Sequence, residues 1–195
     1  MAKLKLGLLG SGKGSNFRAI ADAIVRGDIN AEVCIVISDF EDAGILALAR
    51  ERGIRAEFVH PGKFHTKMEP EREQHLAQLL RDAGVELVVL AGYMRMVKPP
   101  LLDAFPRRII NIHPSLLPAF PGLEAWKQAV NARASQSGCT VHYVDSGMDT
   151  GEIIARAEVP VFANDTAKTL HARIQIAEHK LYPAVISRLA SELSR

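Results

Sequence analysis

The sequence predicts an α/β fold: a single-domain, doubly wound, mostly parallel sheet, with a mixed or antiparallel extension and a long C-terminal helix. Three observations carry that expectation. Short apolar runs alternate with helix-periodic segments through the first half, the pattern of a parallel sheet with helices on both faces. A glycine-rich turn joins the first run to the first helical segment. In the second half, two apolar runs follow each other without a helical pattern between them, and one long helical pattern closes the chain.

In order, Lys3 to Leu9 reads as a buried strand, and Phe17, Ile20 and Ile24 recur at helical spacing. Ala31 to Ile37 is a second strand. Asp42 to Arg52 is a helix stopped by Gly53, and Ala56 to Val59 a short strand. Leu76, Leu79, Leu80 and Ala83 mark one face of a third helix, stopped by Gly84. Glu86 to Leu90 and Arg108 to Ile112 are further strands. Cys139 to Val144 and Glu152 to Val161 are apolar runs joined by a loop rich in Gly and Asp. Asp165-Thr166 is a helix cap, and Leu170, Ile174, Leu181, Val185 and Leu189 form the stripe that follows. Pro183 falls inside this stripe, which predicts a kink or break near Tyr182.

The composition narrows the function. Of 195 residues, 48% are apolar and 24% charged, as in a globular domain. The net charge is +2, which argues against a dedicated nucleic-acid surface. Cys34 and Cys139 sit in apolar runs without C-x-x-C spacing, so two reduced core thiols are expected. The opening Met1 to Lys5 is not a signal peptide. No run approaches the roughly 18 apolar residues of a membrane span. The expected location is the cytoplasm.

Two segments carry chemistry. Gly10-Ser11-Gly12-Lys13-Gly14-Ser15-Asn16 links the first strand to the first helix. Glycine permits a tight turn and close backbone approach, and the helix amino terminus suits an anion. Ser15 and Asn16 are placed to cap the helix or to bond a phosphate oxygen. The G-x-G-x-G spacing matches neither the dinucleotide fingerprint nor the P-loop. A phosphate site and a plain strand-to-helix turn both remain open on the motif alone. The second segment is Asn111-Ile112-His113-Pro114-Ser115-Leu116-Leu117-Pro118. Residues two apart on a strand share a face, so Asn111 and His113 address one space at the carboxyl edge of the sheet, where ligands bind. An amide donor beside an imidazole suits a developing oxyanion.

Asn-Ile-His-Pro-Ser-Leu-Leu-Pro is similar to the signature of the folate-dependent formyltransferases. Gly-Ser-Gly-Lys-Gly-Ser-Asn resembles the phosphate loop of their glycinamide ribonucleotide branch. Ala91-Gly92-Tyr93-Met94-Arg95, the stretch from Asp145 to Gly151, and Glu178-His179 resemble that branch as well. The resemblance covers nearly the whole chain. It implies formyl transfer from 10-formyltetrahydrofolate, a co-substrate, to the amine of glycinamide ribonucleotide in purine biosynthesis, without metal, nucleic acid or membrane, in a monomer or homodimer. It implies catalytic roles for Asn111, His113 and Asp149. Substrate phosphate and nucleotide contacts are implied for Gly12, Lys13, Gly14, Ser15, Asn16 and Glu178. Folate contacts are implied for Met94, Arg95, Met96, Val97, Asn111, Asp145 and Asp149. The implied organisation is a Rossmann-like phosphate-binding half, 1–110, and a catalytic and folate-binding half, 111–195. Where many relatives place His-x-His, this chain has Glu124-Ala125-Trp126.

The chemistry fits such residues. An amine nucleophile must lose a proton, and the tetrahedral intermediate carries oxyanion character. Protonated His113 and the Asn111 amide can donate to that oxygen, each donor contributing about 3–4 kcal/mol. A carboxylate can hold His113 protonated and relay protons to the leaving folate nitrogen. Spacing alone does not choose between Asp145 and Asp149; the resemblance chooses Asp149. Glu178 shares a helical face with Ile174 and Leu181, and a carboxylate there needs a ligand or an internal ion-pair partner. His142 alternates with apolar neighbours and is expected behind the reacting groups. His60, His65, His75 and His171 read as surface residues, and His179 points away from Glu178. Trp126 packs on the domain or covers the site. Three rival readings are a formyltransferase for another amine, such as an amino sugar nucleotide, a non-catalytic nucleotide-binding module, and an NAD-dependent oxidoreductase.

Overall fold

A computed structural model describes residues 2–193. Met1 of the opening segment lies outside them, as do residues 194–195. The strands are β1 (Leu4–Leu9), β2 (Ala31–Ser38), β3 (Ala56–Phe58), β4 (Leu87–Leu90), β5 (Ile109–His113), β6 (Gln136–Tyr143) and β7 (Ile153–Pro160). The helices are α1 (Ser15–Arg26), α2 (Gly44–Glu51), α3 (Pro70–Asp82), α4 (Pro99–Ala104), α5 (Ala125–Asn131) and α6 (Ala167–Leu193). The strands form one sheet in the order β3-β2-β1-β4-β5-β6-β7. The first five run parallel; β6 pairs antiparallel with β5, and β7 antiparallel with β6. The expected doubly wound sheet with an antiparallel extension is therefore present.

Strand periodicity explains the two cores. Leu4, Leu6 and Leu8 of β1 enter one apolar cluster, together with Val36, Leu87 and Val89. Leu9, Ile35, Ile37, Val88 and Leu90 enter the other. Side chains alternate across a pleated strand, so the sheet has two apolar faces and both are covered. Phe17 and Ile20 of α1, Ile45 and Leu46 of α2, and Ile174 and Ile186 of α6 cover the first. Leu76 and Leu80 of α3 and Leu101 of α4 cover the second.

Three expectations change. Helix α6 continues through Pro183 as one element of 27 residues. A proline in a helix interior costs about 3 kcal/mol. Tyr182, Val185, Ile186 and Leu189 around it are all buried, and each such side chain contributes roughly 1.5–3 kcal/mol, so packing outweighs the lost hydrogen bond. The Tyr182 hydroxyl also donates to the Leu90 and Ile110 carbonyls at 3.0 and 3.1 Å, fixing α6 to β4 and β5. Second, α4 and α5 are helices of six and seven residues, too short to show a periodic stripe. Third, Cys139 is buried as expected, but Cys34 is only half-buried.

The chain runs outward from β1 through β2 to β3, then returns to place β4 on the other side of β1. That reversal opens a crevice at the carboxyl ends of β1 and β4, the usual ligand position in such sheets. The turn 10–16 leaves β1 there, and segment 91–97 leaves β4 beside it.

Candidate active site

The turn after β1 is shaped for an anion. Gly14 occupies the N-cap of α1 with φ 78°, and no side chain caps the helix. The first amides of α1 have no intrahelical partner and face the crevice with the positive end of the helix dipole. Ser15 and Asn16 therefore do not cap. Gly14 is demanded by the fold itself, because a Cβ there would lie 2.9 Å from the Ile45 Cα. Gly12 has nothing within 4 Å of its Cβ position, and both Gly12 and Lys13 are exposed.

Asn16 and Glu178 meet behind this turn. The Asn16 Nδ2 donates to Glu178 Oε2 at 3.0 Å, while Asn16 Oδ1 is buried with no partner. Glu178 is 5% exposed. Burial pushes its carboxyl up to about 7, against the opposing hydrogen bond from Asn16. Among the described residues no Arg or Lys pairs with it, so the internal ion pair weighed from sequence is absent.

The second cluster lies at the end of β5. Asn111 and His113 share a face, and the antiparallel register sets His142 of β6 opposite Asn111. The Asn111 amide lies 3.2 Å from His142 Nε2. His142 Nδ1 donates to the Tyr143 carbonyl at 2.8 Å. Asp149 stands between the two imidazoles. Its Oδ2 is 3.3 Å from His113 Nδ1, its Oδ1 is 3.7 Å from His142 Nε2, and Oδ2 accepts from the Gly122 amide at 2.8 Å. Asp145 does not compete for His113. Its Oδ1 accepts from the Gly147 amide and the Thr150 hydroxyl at 3.0 and 2.8 Å, closing its own turn.

The electrostatics revise one expectation. Both ring nitrogens of His113 face acceptors: Nε2 lies 2.9 Å from the Phe120 carbonyl, and Nδ1 faces Asp149. That geometry favours the imidazolium. Burial is nevertheless the largest effect and holds His113 below its ordinary value, although Phe120 and Asp149 pull the other way. Asp149 therefore does not keep His113 protonated in the unliganded protein. For Asp149 itself, burial raises the carboxyl, but the facing His142 imidazole, the Gly122 amide and His113 together leave it lowered.

Segment 92–97 is clamped rather than loose. Arg95 Nε donates to Asp39 at 2.7 Å, and its Nη1 to the Phe64 and His65 carbonyls. The Met96 amide donates to the Thr66 carbonyl at 2.9 Å. Val97 belongs to the second core. Met94 is 59% exposed and Met148, on the loop before Asp149, 53%, which offers apolar surface on both loops.

Sequence reasoning undervalued His142, which touches Asn111 and approaches Asp149; its alternation with apolar residues was the available signal. His171 is not an ordinary surface residue, because the Trp126 ring stacks on it at 3.8 Å and 9°. That settles Trp126, whose ring is committed to α6.

Comparison with known proteins places this arrangement in a class. A family model described as formyl transferase matches residues 4–186. The chain belongs to the formyl transferase family and is an enzyme of that class. The particular relatives are glycinamide ribonucleotide formyltransferases and a trifunctional purine biosynthetic protein. Phosphoribosylglycinamide formyltransferase of Bacillus subtilis (strain 168) is 42% identical over 185 residues, covering 95% of this chain and 94% of its own length. The trifunctional purine biosynthetic protein adenosine-3 of Drosophila pseudoobscura pseudoobscura is 45% identical over 96% of this chain, which spans 14% of that longer protein. The crystal structure of glycinamide ribonucleotide transformylase 1 from Symbiobacterium toebii is 46% identical with a TM-score of 0.93, covering 97% of this chain and 89% of that one.

Proposed function

We propose that this chain, as one cytoplasmic formyltransferase domain, transfers the formyl group of 10-formyltetrahydrofolate to the primary amine of glycinamide ribonucleotide in purine biosynthesis. The observation that carries the reading is the His113–Asp149 pair beside Asn111, on the same sheet edge as an uncapped helix terminus suited to phosphate. The relatives' names support the same substrate. The nucleotide phosphate takes the amides of residues 12–16. Its N–H and hydroxyl donors meet the unpartnered Asn16 oxygen and the Glu178 carboxyl. The folate ring system lies against segment 94–97 and the loop 145–149.

The amine nitrogen attacks the formyl carbon, and the carbonyl π electrons move to oxygen. Asn111 and His113 stabilise that oxyanion. The new C–N bond stays, the bond from carbon to the folate nitrogen breaks, and the amine proton passes to that nitrogen with Asp149 and His113 as carriers. A neutral resting His113 suits this sequence. Protonation becomes favourable as negative charge develops, so the interaction is stronger in the transition state than in the ground state.

Purified protein supplied with 10-formyltetrahydrofolate and glycinamide ribonucleotide is expected to yield the formylated nucleotide and tetrahydrofolate. Folded protein that turns over neither substrate overturns the reading. Formylation of an amino sugar nucleotide in preference to glycinamide ribonucleotide keeps the chemistry and overturns the substrate.

A further inference from the structure

The two segments that meet at the crevice are joined by a buried polar chain that the reaction itself does not need. The Ser11 amide donates to the Gly92 carbonyl at 3.0 Å. The Ser11 hydroxyl accepts from the Met94 amide at 2.9 Å and donates to Asp39 Oδ1 at 2.6 Å. The other Asp39 oxygen accepts from Arg95 Nε at 2.7 Å. The Asp39 side chain is fully buried and that of Arg95 is 9% exposed. The backbones approach closely as well, since a Cβ on Gly10 would lie 2.8 Å from the Ala91 carbonyl oxygen.

Each partner in this chain is committed. The Ser11 hydroxyl spends its donor on Asp39 and an acceptor site on Met94. Both Asp39 oxygens are taken, one by a hydroxyl and one by a guanidinium. Networks of this kind, anchored on a fully buried Asp39 with every member satisfied, hold one geometry. A shift of the turn at Ser11 must therefore move the Met94 amide or break a bond of this chain. The turn offers its remaining amides to an anion, whereas segment 92–97 offers Met94 and its neighbours to the other ligand.

We infer that Ser11 and Asp39 are positioning residues that couple the two substrate sites, so that phosphate bound on the turn further restrains segment 92–97 through the Met94 amide and tightens the folate. This rests on the functional reading above. Ser11 and Asp39 touch neither the reacting carbon nor the amine in that reading, and they act through the placement of Met94 and Arg95. Coupling between sites is reciprocal in binding free energy, so folate must tighten the nucleotide by the same factor.

The test uses tetrahydrofolate and glycinamide ribonucleotide, which form a complex without turnover because no formyl group is present. In the native protein, saturating nucleotide is expected to lower the tetrahydrofolate Kd by about fivefold or more. In Ser11→Ala, which leaves the Asp39–Arg95 pair intact, that ratio is expected to fall to about one, with nucleotide affinity alone within about twofold of native. The folate KM of Ser11→Ala should rise about fivefold while kcat holds, a split that a general loss of stability does not produce. Asp39→Asn, which keeps the shape and removes the charge, should lose the coupling too. A native protein that binds both ligands with a ratio of one overturns the inference and leaves the function standing. A native protein that binds neither overturns both. A Ser11→Ala protein that keeps the native ratio overturns the inference alone, as does one that loses both affinities together with its melting temperature.

Discussion

Glu178→Gln removes a charge that the fold holds at a cost. The carboxyl is pushed from an ordinary 4.5 up to about 7, and burial is the dominant cause. That difference makes the ionised form about 3 kcal/mol less favourable in the folded protein than in the unfolded one. A raised carboxyl binds its proton more tightly when folded. The stability of the native protein is therefore highest, as far as this group decides it, below pH 4.5, and falls as pH rises towards about 7. Glutamine does not titrate, and its side-chain oxygen can accept from Asn16 as the carboxylate does. At pH 5 the two proteins should melt close together. At pH 8 the Gln variant should be more stable by up to about 3 kcal/mol, which for a domain of this size is several degrees, at roughly 2–4 °C per kcal/mol. Nucleotide affinity should move the other way, falling about tenfold with loss of the carboxylate, the effect of roughly one charge-assisted hydrogen bond. Scanning calorimetry at the two pH values and titration with glycinamide ribonucleotide measure both. A Gln variant that melts lower than native at pH 8 would refute the reasoning, because the carboxylate would then be a satisfied structural charge. So would unchanged nucleotide affinity.

Asp149→Asn is expected to lose at least about 10³ in turnover, since the variant loses a proton carrier and the charge that favours the His113 imidazolium; Asp145→Asn should lose no more than about tenfold, because the amide oxygen still closes the turn to Gly147 and Thr150. Turnover with an NMR titration of His113 in each variant decides between them, and a shifted His113 in Asp145→Asn rather than Asp149→Asn reverses the assignment. Gly12→Ala should keep the native melting temperature within about a degree while weakening nucleotide binding about tenfold, whereas Gly14→Ala, with positive φ and the Ile45 backbone 2.9 Å away, should lose stability. Unaltered nucleotide binding in Gly12→Ala would show that phosphate does not approach that amide.

What was legible in the sequence was what local pattern determines. The first five strands follow from apolar runs separated by helical segments, and Glu178 from its place on a buried stripe. Thr166 was legible as a cap, and its hydroxyl accepts the Thr169 amide at 3.2 Å. What was not legible depends on contacts between distant segments. His142 reaches Asn111 only because antiparallel pairing sets residue 142 across from 111, and register is not written in either strand alone. Asp149 reaches His113 because its own backbone adopts φ 56° and the Gly122 amide holds its carboxylate. Asp145, four residues earlier, spends the same functional group on a local turn. The Ser11–Asp39–Arg95 chain joins three segments 28 and 56 residues apart, and none of the three residues carries a sequence signal for it.

The two carboxylates at the site show how environment, rather than residue type, assigns roles. Asp149 and Glu178 both lose solvent, and desolvation raises both. Asp149 ends lowered, because a backbone amide and two imidazoles face it. Glu178 ends at about 7, because a single amide group opposes burial. Near neutral pH, Asp149 is thus a fixed anion and Glu178 exchanges a proton readily. His113, which the proposed mechanism sets against the oxyanion, is held below its ordinary value because burial outweighs the same Asp149. The unliganded site therefore holds an anion without its cation. An imidazolium placed there would be favoured by the Phe120 carbonyl and Asp149, and opposed by desolvation and, more weakly, by His142. In the proposed mechanism a developing oxyanion adds a second negative charge and tips that balance. The proton released by the attacking amine is available at the same moment. On that mechanism the pair forms as the transition state develops, and substrate binding alone does not draw on the interaction.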